Sequence, residues 1–231
     1  MFYELRIYCL APGRLSDGLR RFDRLPAIFA DCGIRNLGRW HCAAGPDGPA
    51  IAYVMGYRDL VEREEVWGRF YTHPGWHELR ADTNDGEELV EKFDLFFLKP
   101  NATWHPHRIA ASALGAIHEL RLFTIGVGQL ARANLFLEQA LLPAVERMGG
   151  HVMLLADVVS GPALPALAMI TAWQDLAHWQ DCSFDLETDP LVSARLRADR
   201  ADKSGEALGS SRRWLLRPID DPLPLSTLTF D

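Results

Sequence analysis

Polar and apolar residues alternate along the first ten positions. Tyr3, Leu5, Ile7 and Cys9 fall on one face, and Glu4, Arg6 and Tyr8 on the other, which is the period of a β-strand. Pro12-Gly13 ends the alternation. The spacing then becomes helical, with Leu15, Leu19 and Phe22 followed by Leu25, Ile28 and Phe29, up to Cys32-Gly33, where the glycine provides a stop. Pro26 predicts a kink in that helix. Residues 34–43 and 50–57 read as two strands around the turn-rich segment from Gly45 to Pro49. A helical region over 60–84 is interrupted near Thr72-His73-Pro74-Gly75, and Phe93 to Leu98 forms a last strand closed by Pro100. The order is βαββαβ, the ferredoxin-like unit.

The chain then says the same thing again. Tyr3-Glu4-Leu5-Arg6-Ile7-Tyr8 recurs as His118-Glu119-Leu120-Arg121-Leu122-Phe123, and Gly45-Pro46 recurs as Gly161-Pro162. Tyr57-Arg58-Asp59-Leu60 recurs as Trp173-Gln174-Asp175-Leu176, and His73-Pro74 as Asp189-Pro190. The offset is 115 between Gly13 and Gly128 and 116 between Asp59 and Asp175, so one residue has been inserted between copies. In the second copy the pattern predicts strands at 117–125, 151–159, 166–173 and 212–217, with helical regions at 130–148 and 176–203. The expected organisation is a first repeat over 1–100, a linker over 101–116, a second, diverged repeat over 117–218 and a tail over 219–231.

A single unit of this kind covers one sheet face with helices and leaves the other bare. That bare face is expected to carry Tyr8 and Phe96, too much apolar surface to leave wet. Two units in one chain can bury these faces against each other. The predicted fold is therefore α+β, with two tandem ferredoxin-like units forming an intrachain pseudo-dimeric α+β barrel and the helices outside.

The Tyr3-Glu4-Leu5-Arg6 opening, Pro12-Gly13, Gly38-Arg39-Trp40, the Gly45 turn and the aromatic-Arg-Asp-Leu at Tyr57 to Leu60 resemble the NIPSNAP family, within the dimeric α+β barrel superfamily. The resemblance covers about 3–100 and 118–218 and is better in the first half. It implies a barrel normally made by two chains and here by one, and it implies no particular reaction, because this superfamily hosts cofactor-free monooxygenases, isomerases, haem-related enzymes and proteins of unknown role.

Comparing the copies points to candidate chemistry. Arg39-Trp40-His41 stands against Leu155-Ala156-Asp157, Tyr53 against Met169, His73 against Asp189, Trp76 against Val192 and His77 against Ser193. The histidines and tryptophans kept in the first copy suggest a site there. His41, Tyr53 and His73 are the expected acid–base set, with Arg39, Trp40, Tyr57, Trp76 and His77 expected around a small hydrophobic or aromatic metabolite. Each has a structural alternative: tryptophans pack cores, His41 can face water, and Tyr57 recurs as Trp173. His73 and His77 have the i, i+4 spacing of a metal pair, but Pro74 looks like a first helical residue, which makes His73 a cap, and no metal is expected. Glu4-Arg6 and Glu119-Arg121 read as structural ion pairs or, alternatively, as an arginine gripping a carboxylate.

Composition narrows the rest. The formal charge of −7 and the lack of a basic stripe argue against nucleic acid, and no apolar run is long enough for a membrane helix. Cys9, Cys32, Cys42 and Cys182 lack ligand-type spacing and read as free thiols in apolar space. No G-x-G-x-x-G, P-loop or G-x-S-x-G motif is present, so no cofactor is expected. The expectation is a cytoplasmic protein that binds a small molecule, either as a cofactor-independent enzyme (proton transfer, isomerisation or monooxygenation) or as a non-catalytic binding or interaction protein. Assembly into a homo-oligomer stays open.

Overall fold

The structure is a computed structural model that describes residues 1–104 and 114–219. The first half runs β1 (Phe2–Leu10), α1 (Leu15–Cys32), β2 (Arg35–Ala44), β3 (Ala50–Tyr57), α2 (Leu60–Thr72), α3 (Pro74–Asn84) and β4 (Val90–Pro100). The second runs β5 (Ile117–Ile125), α4 (Leu130–Phe136), a π turn (Leu137–Leu141), α5 (Leu142–Arg147), β6 (His151–Ser160), β7 (Ala166–Trp173), α6 (Leu176–Thr188), α7 (Pro190–Ala201) and β8 (Leu208–Pro218). Among the described residues no helix is long and apolar enough to cross a membrane.

The eight strands close into one antiparallel barrel in the order β1-β3-β2-β8-β5-β7-β6-β4. Each half contributes four strands in the same internal order, and two seams join the halves. At one seam His41 of β2 lies opposite Arg217 of β8, and at the other Lys99 of β4 lies opposite Asp157 of β6. The repeated glycines serve these seams. A Cβ at Gly45 (φ +143) would come within 2.6 Å of the Trp214 ring, and one at Gly161 (φ +152) within 2.8 Å of the Phe96 ring. Only glycine lets the hairpin pass so close to the aromatic of the other half.

The proline effects differ between the copies. Pro26 lies within one continuous α1, whereas Pro143 follows the π turn at Leu137–Leu141. A wider turn relieves the clash between a proline ring and the carbonyl four residues earlier.

Barrel closure corrects one expectation about faces. Leu5 is opposite Val54 and Phe96, and these residues fill the barrel with Leu120, Ile170 and Trp40. Phe96 lies inside, as expected. Tyr8 does not: it sits with Ile51, Tyr53, Met55 and Tyr57 under α1 and α2, packed edge-on against Phe22 and Tyr53. The alternation thus sends Glu4, Arg6 and Tyr8 beneath the helices, because a closed eight-stranded barrel is filled by side chains and has no water for charges.

A short chain of hydrogen bonds also lies within the barrel. The Trp40 indole donates to His118 Nδ1 at 2.8 Å, and His118 Nε2 donates to the Leu114 carbonyl at 2.9 Å. Gly38 makes room for that indole, since a Cβ there would meet the ring at 2.3 Å. The four cysteines are free and buried, and burial pushes the Cys42 thiol up to about 12.

The His118 arrangement suits only the neutral ring. Burial lowers its pKa to about 4, against the opposing pull of the Leu114 carbonyl. An unfolded histidine titrates near 6.5, so the unfolded chain takes up the proton first. The stability contribution is therefore full above about pH 6.5 and declines as pH falls towards 4. Over that window the wild type should lose up to about 3 kcal/mol more than His118→Gln, which can keep both hydrogen bonds without titrating. Urea unfolding of the two proteins at pH 7 and pH 4.5 checks this; parallel pH dependence would contradict it.

Candidate functional site

The residues singled out in the sequence do not converge on one point. Trp40 is barrel core. Arg39 is buried on β2 and its Nη1 donates to the Phe22 carbonyl. His41 is half-buried at the β2–β8 seam, where burial and Arg217 lower its pKa below the usual histidine value. His73 is the N-cap of α3, accepting from the Gly75 amide at Nδ1 (3.1 Å), as the position of Pro74 predicts. Its counterpart Asp189 caps α7 by accepting from the Leu191 and Val192 amides. The contrast between His73 and Asp189 is one capping role filled by two side chains. His77 is exposed, and Trp76 stacks on Phe70 with ring centroids 4.7 Å apart. No hydrogen bond joins any two of His41, Tyr53 and His73 among the described residues.

Tyr53 and Tyr57 do share a place, between sheet and helices in the first half. Arg6 lies at its centre. Its Nε donates to Glu4 at 2.5 Å, its Nη1 donates to the Tyr8 hydroxyl at 3.1 Å, and its guanidinium sits 3.9 Å over the Trp67 ring. Glu4 also accepts from Arg63, and the Trp67 indole donates to the Tyr57 hydroxyl at 2.8 Å. Burial raises the Tyr53 phenol well above its usual value; Tyr8 adds to this and Arg6 opposes it. Burial, aided by Glu4, likewise raises Tyr57. Both phenols are therefore protonated at neutral pH and cannot act as bases from that state. The ring packing of Tyr8 on Phe22, Tyr53 and Phe93 closes over Arg6.

The same place in the second half is open. A cavity of about 460 Å³ lies between the helix-facing side of β5 and β8 and the helices α4, α6 and α7. Its floor includes Arg121 and Phe123, and its walls include Phe136, Leu141, Leu186 and Val192. At its rim Arg213 pairs with Glu187, and Arg200 with Glu206 at 2.9 Å. Register explains the opening. Tyr8 is opposite Phe93, but Phe123 is opposite Ser211; Arg6 is opposite Tyr53, but Arg121 is opposite Met169. Counting from the helix caps Asp59 and Asp175, Trp67 becomes Ser183 and Arg63 becomes Trp179. Counting from His73 and Asp189, Trp76 becomes Val192.

The polar network opens with it. Arg121 Nε donates to Glu119 at 2.7 Å, its only side-chain hydrogen bond among the described residues. Arg121 Nη2, Glu119 Oε1, Trp179 Nε1 and Ser183 Oγ are buried without partners. Sequence comparison ranked the smaller residues of the second copy as a loss of chemistry; their smallness is what makes room.

Residues 3–103 match the NIPSNAP family. The match is confined to the first half of the chain. Solved structures similar to the whole chain include an anthrone oxidase-like protein, 10% identical over 95% of this chain and 91% of its own, with a TM-score of 0.59. A candidate monooxygenase from Lactobacillus acidophilus NCFM is 10% identical over 95% of this chain and 94% of its own, with a TM-score of 0.57. At such identity these two share the fold. A NIPSNAP family protein from Agrobacterium tumefaciens strain C58 is 23% identical over 46% of this chain and 98% of its own, with a TM-score of 0.41. No curated protein matches the chain. In the matched half Gly38 and Trp40 work inside the barrel while Arg39 reaches α1, and the Tyr3-Glu4-Leu5-Arg6 strand likewise divides between the barrel and the helix layer.

The two ion pairs should respond differently to truncation. Arg121→Ala leaves Glu119 buried with no cation and should cost about 3–5 kcal/mol, part of which returns when Glu119→Gln is added. Arg63→Ala leaves Glu4 its Arg6 and should cost less. Denaturant midpoints of the three proteins give the order, and equal losses for Arg121→Ala and Arg63→Ala would contradict it.

Proposed function

We propose that this chain binds a small organic molecule with an apolar body and a polar group in the helix–sheet cavity of its second half. The observation that carries this reading is the cavity itself. Its volume of about 460 Å³ falls within the range of small-molecule sites, and its lining combines an apolar wall of Phe123, Phe136, Leu141, Leu186 and Val192 with charged and hydroxyl side chains at the floor and rim. The first half supplies the internal contrast, since the corresponding space there is taken by its own aromatic rings.

Binding is favoured over catalysis by the groups that line the cavity. Among the described residues these include no histidine or cysteine, and the charged side chains at the rim are held in ion pairs. The structures that share this fold over the whole chain are an anthrone oxidase-like protein and a candidate monooxygenase, so a cofactor-independent conversion of the bound molecule is the enzymatic form of the same reading.

Ser211→Phe and Val192→Trp test the reading by refilling the space. Both install a residue of larger volume, Phe after the register partner of Tyr8 and Trp after Trp76. A thermal-shift screen of planar aromatic acids, phenols and their neutral counterparts should find compounds that raise the wild-type Tm by roughly 5–10 °C at about a hundred times Kd. The double variant should fold and lose that shift. Retention of the full shift would place the ligand elsewhere and overturn the reading.

A further inference from the structure

The two halves carry the same buried arginine in two states. Arg6 is fully engaged: Glu4 takes its Nε, the Tyr8 hydroxyl takes its Nη1, and Trp67 covers its face. Arg121 keeps only the first of these contacts. Phe123 stands where Tyr8 stands but has no hydroxyl, Ser183 replaces Trp67, and Arg121 Nη2 is left buried without a partner at the floor of an open cavity. A guanidinium offers five donors, and leaving them unpaired in a buried site is costly. Arg213 lies opposite Arg121 across β5 and β8 but turns to Glu187 at the rim, so it leaves Arg121 Nη2 without a partner.

We infer that the ligand of the second-half cavity is an aromatic oxygen acid, a phenol or an aryl carboxylate, whose oxygen docks on Arg121 in the position that the Tyr8 hydroxyl occupies at Arg6. The first half thus carries the template of the ligand: an aromatic ring with an acceptor oxygen, held edge-on among other rings and aimed at the buried arginine. The inference rests on the cavity reading above and adds the chemical class. Phe123 and Phe136 provide aromatic walls for the ring, and the absent Tyr8 hydroxyl and Phe93 ring account for the space it fills.

The test uses calorimetric titration of the full chain with 2-naphthoate, 2-naphthol and the neutral 2-naphthamide. The wild type should bind the acid or the phenol at least tenfold more tightly than the amide, because a carboxylate or phenolate adds opposite charge to a hydrogen bond that an amide carbonyl also makes. The tighter of the two distinguishes carboxylate from phenol. Arg121→Gln in a Glu119→Gln background, which leaves no buried charge unpaired, should remove that tenfold preference and retain amide binding. Phe123→Tyr keeps Arg121 and gives it an internal phenol; this variant should melt higher than wild type and bind the acid at least tenfold more weakly. Equal affinity for acid and amide, or an acid affinity unchanged in both variants, overturns the inference while leaving the cavity reading intact. Failure of all three compounds to bind overturns both.

Discussion

Closure of the barrel is the constraint from which the rest of this structure follows. Once eight strands join edge to edge, the inner face becomes dry and must be filled by side chains of matched size. Leu5, Leu120, Phe96 and Ile170 meet that demand, and Trp40 does so only because Gly38 yields to its ring. Every alternate residue on β1 and β5 is then forced outward. Glu4 and Arg6, and Glu119 and Arg121, end up beneath the helices, where ion pairing and hydrogen bonds can compensate for burial.

That layer is where the halves part company. In the first half the network is saturated: Glu4 has two cations, Arg6 has a phenol and a tryptophan face, and Tyr57 receives the Trp67 indole. In the second half Tyr8, Trp67, Tyr53 and Trp76 have given way to Phe123, Ser183, Met169 and Val192, while the central Glu119–Arg121 pair has stayed. The unpartnered atoms of this retained pair are what the proposed ligand would satisfy, since unsatisfied buried donors and acceptors are rare in folded proteins. Duplication permits this division, with one half supplying a closed, stabilising layer and the other a hollow one.

Some of the candidate site was legible in the sequence and some could not be. The Glu-Arg alternates of β1 and β5 stood out as a duplicated motif, with a carboxylate grip as one alternative. His73 was recognisable as a cap from Pro74 alone. The location of the cavity was not legible, because a hole is made by what a side chain lacks. Phe93 and Ser211 become equivalent only through pairing with Tyr8 and Phe123 across strands far apart in the chain.

The sequence by itself determined the βαββαβ order, its duplication and the joining of two sheets, since these depend on local periodicity, turn residues and a repeat offset that any alignment of the chain with itself reveals. Only the tertiary structure decided which strand face became the barrel interior. Alternation marks two faces without naming them, and Tyr8 went under the helices because the barrel took the other set. The same tertiary placement decided that small residues in one half and aromatic rings in the other leave Arg121 open and Arg6 closed, because packing volume is a property of all the elements that meet at a point.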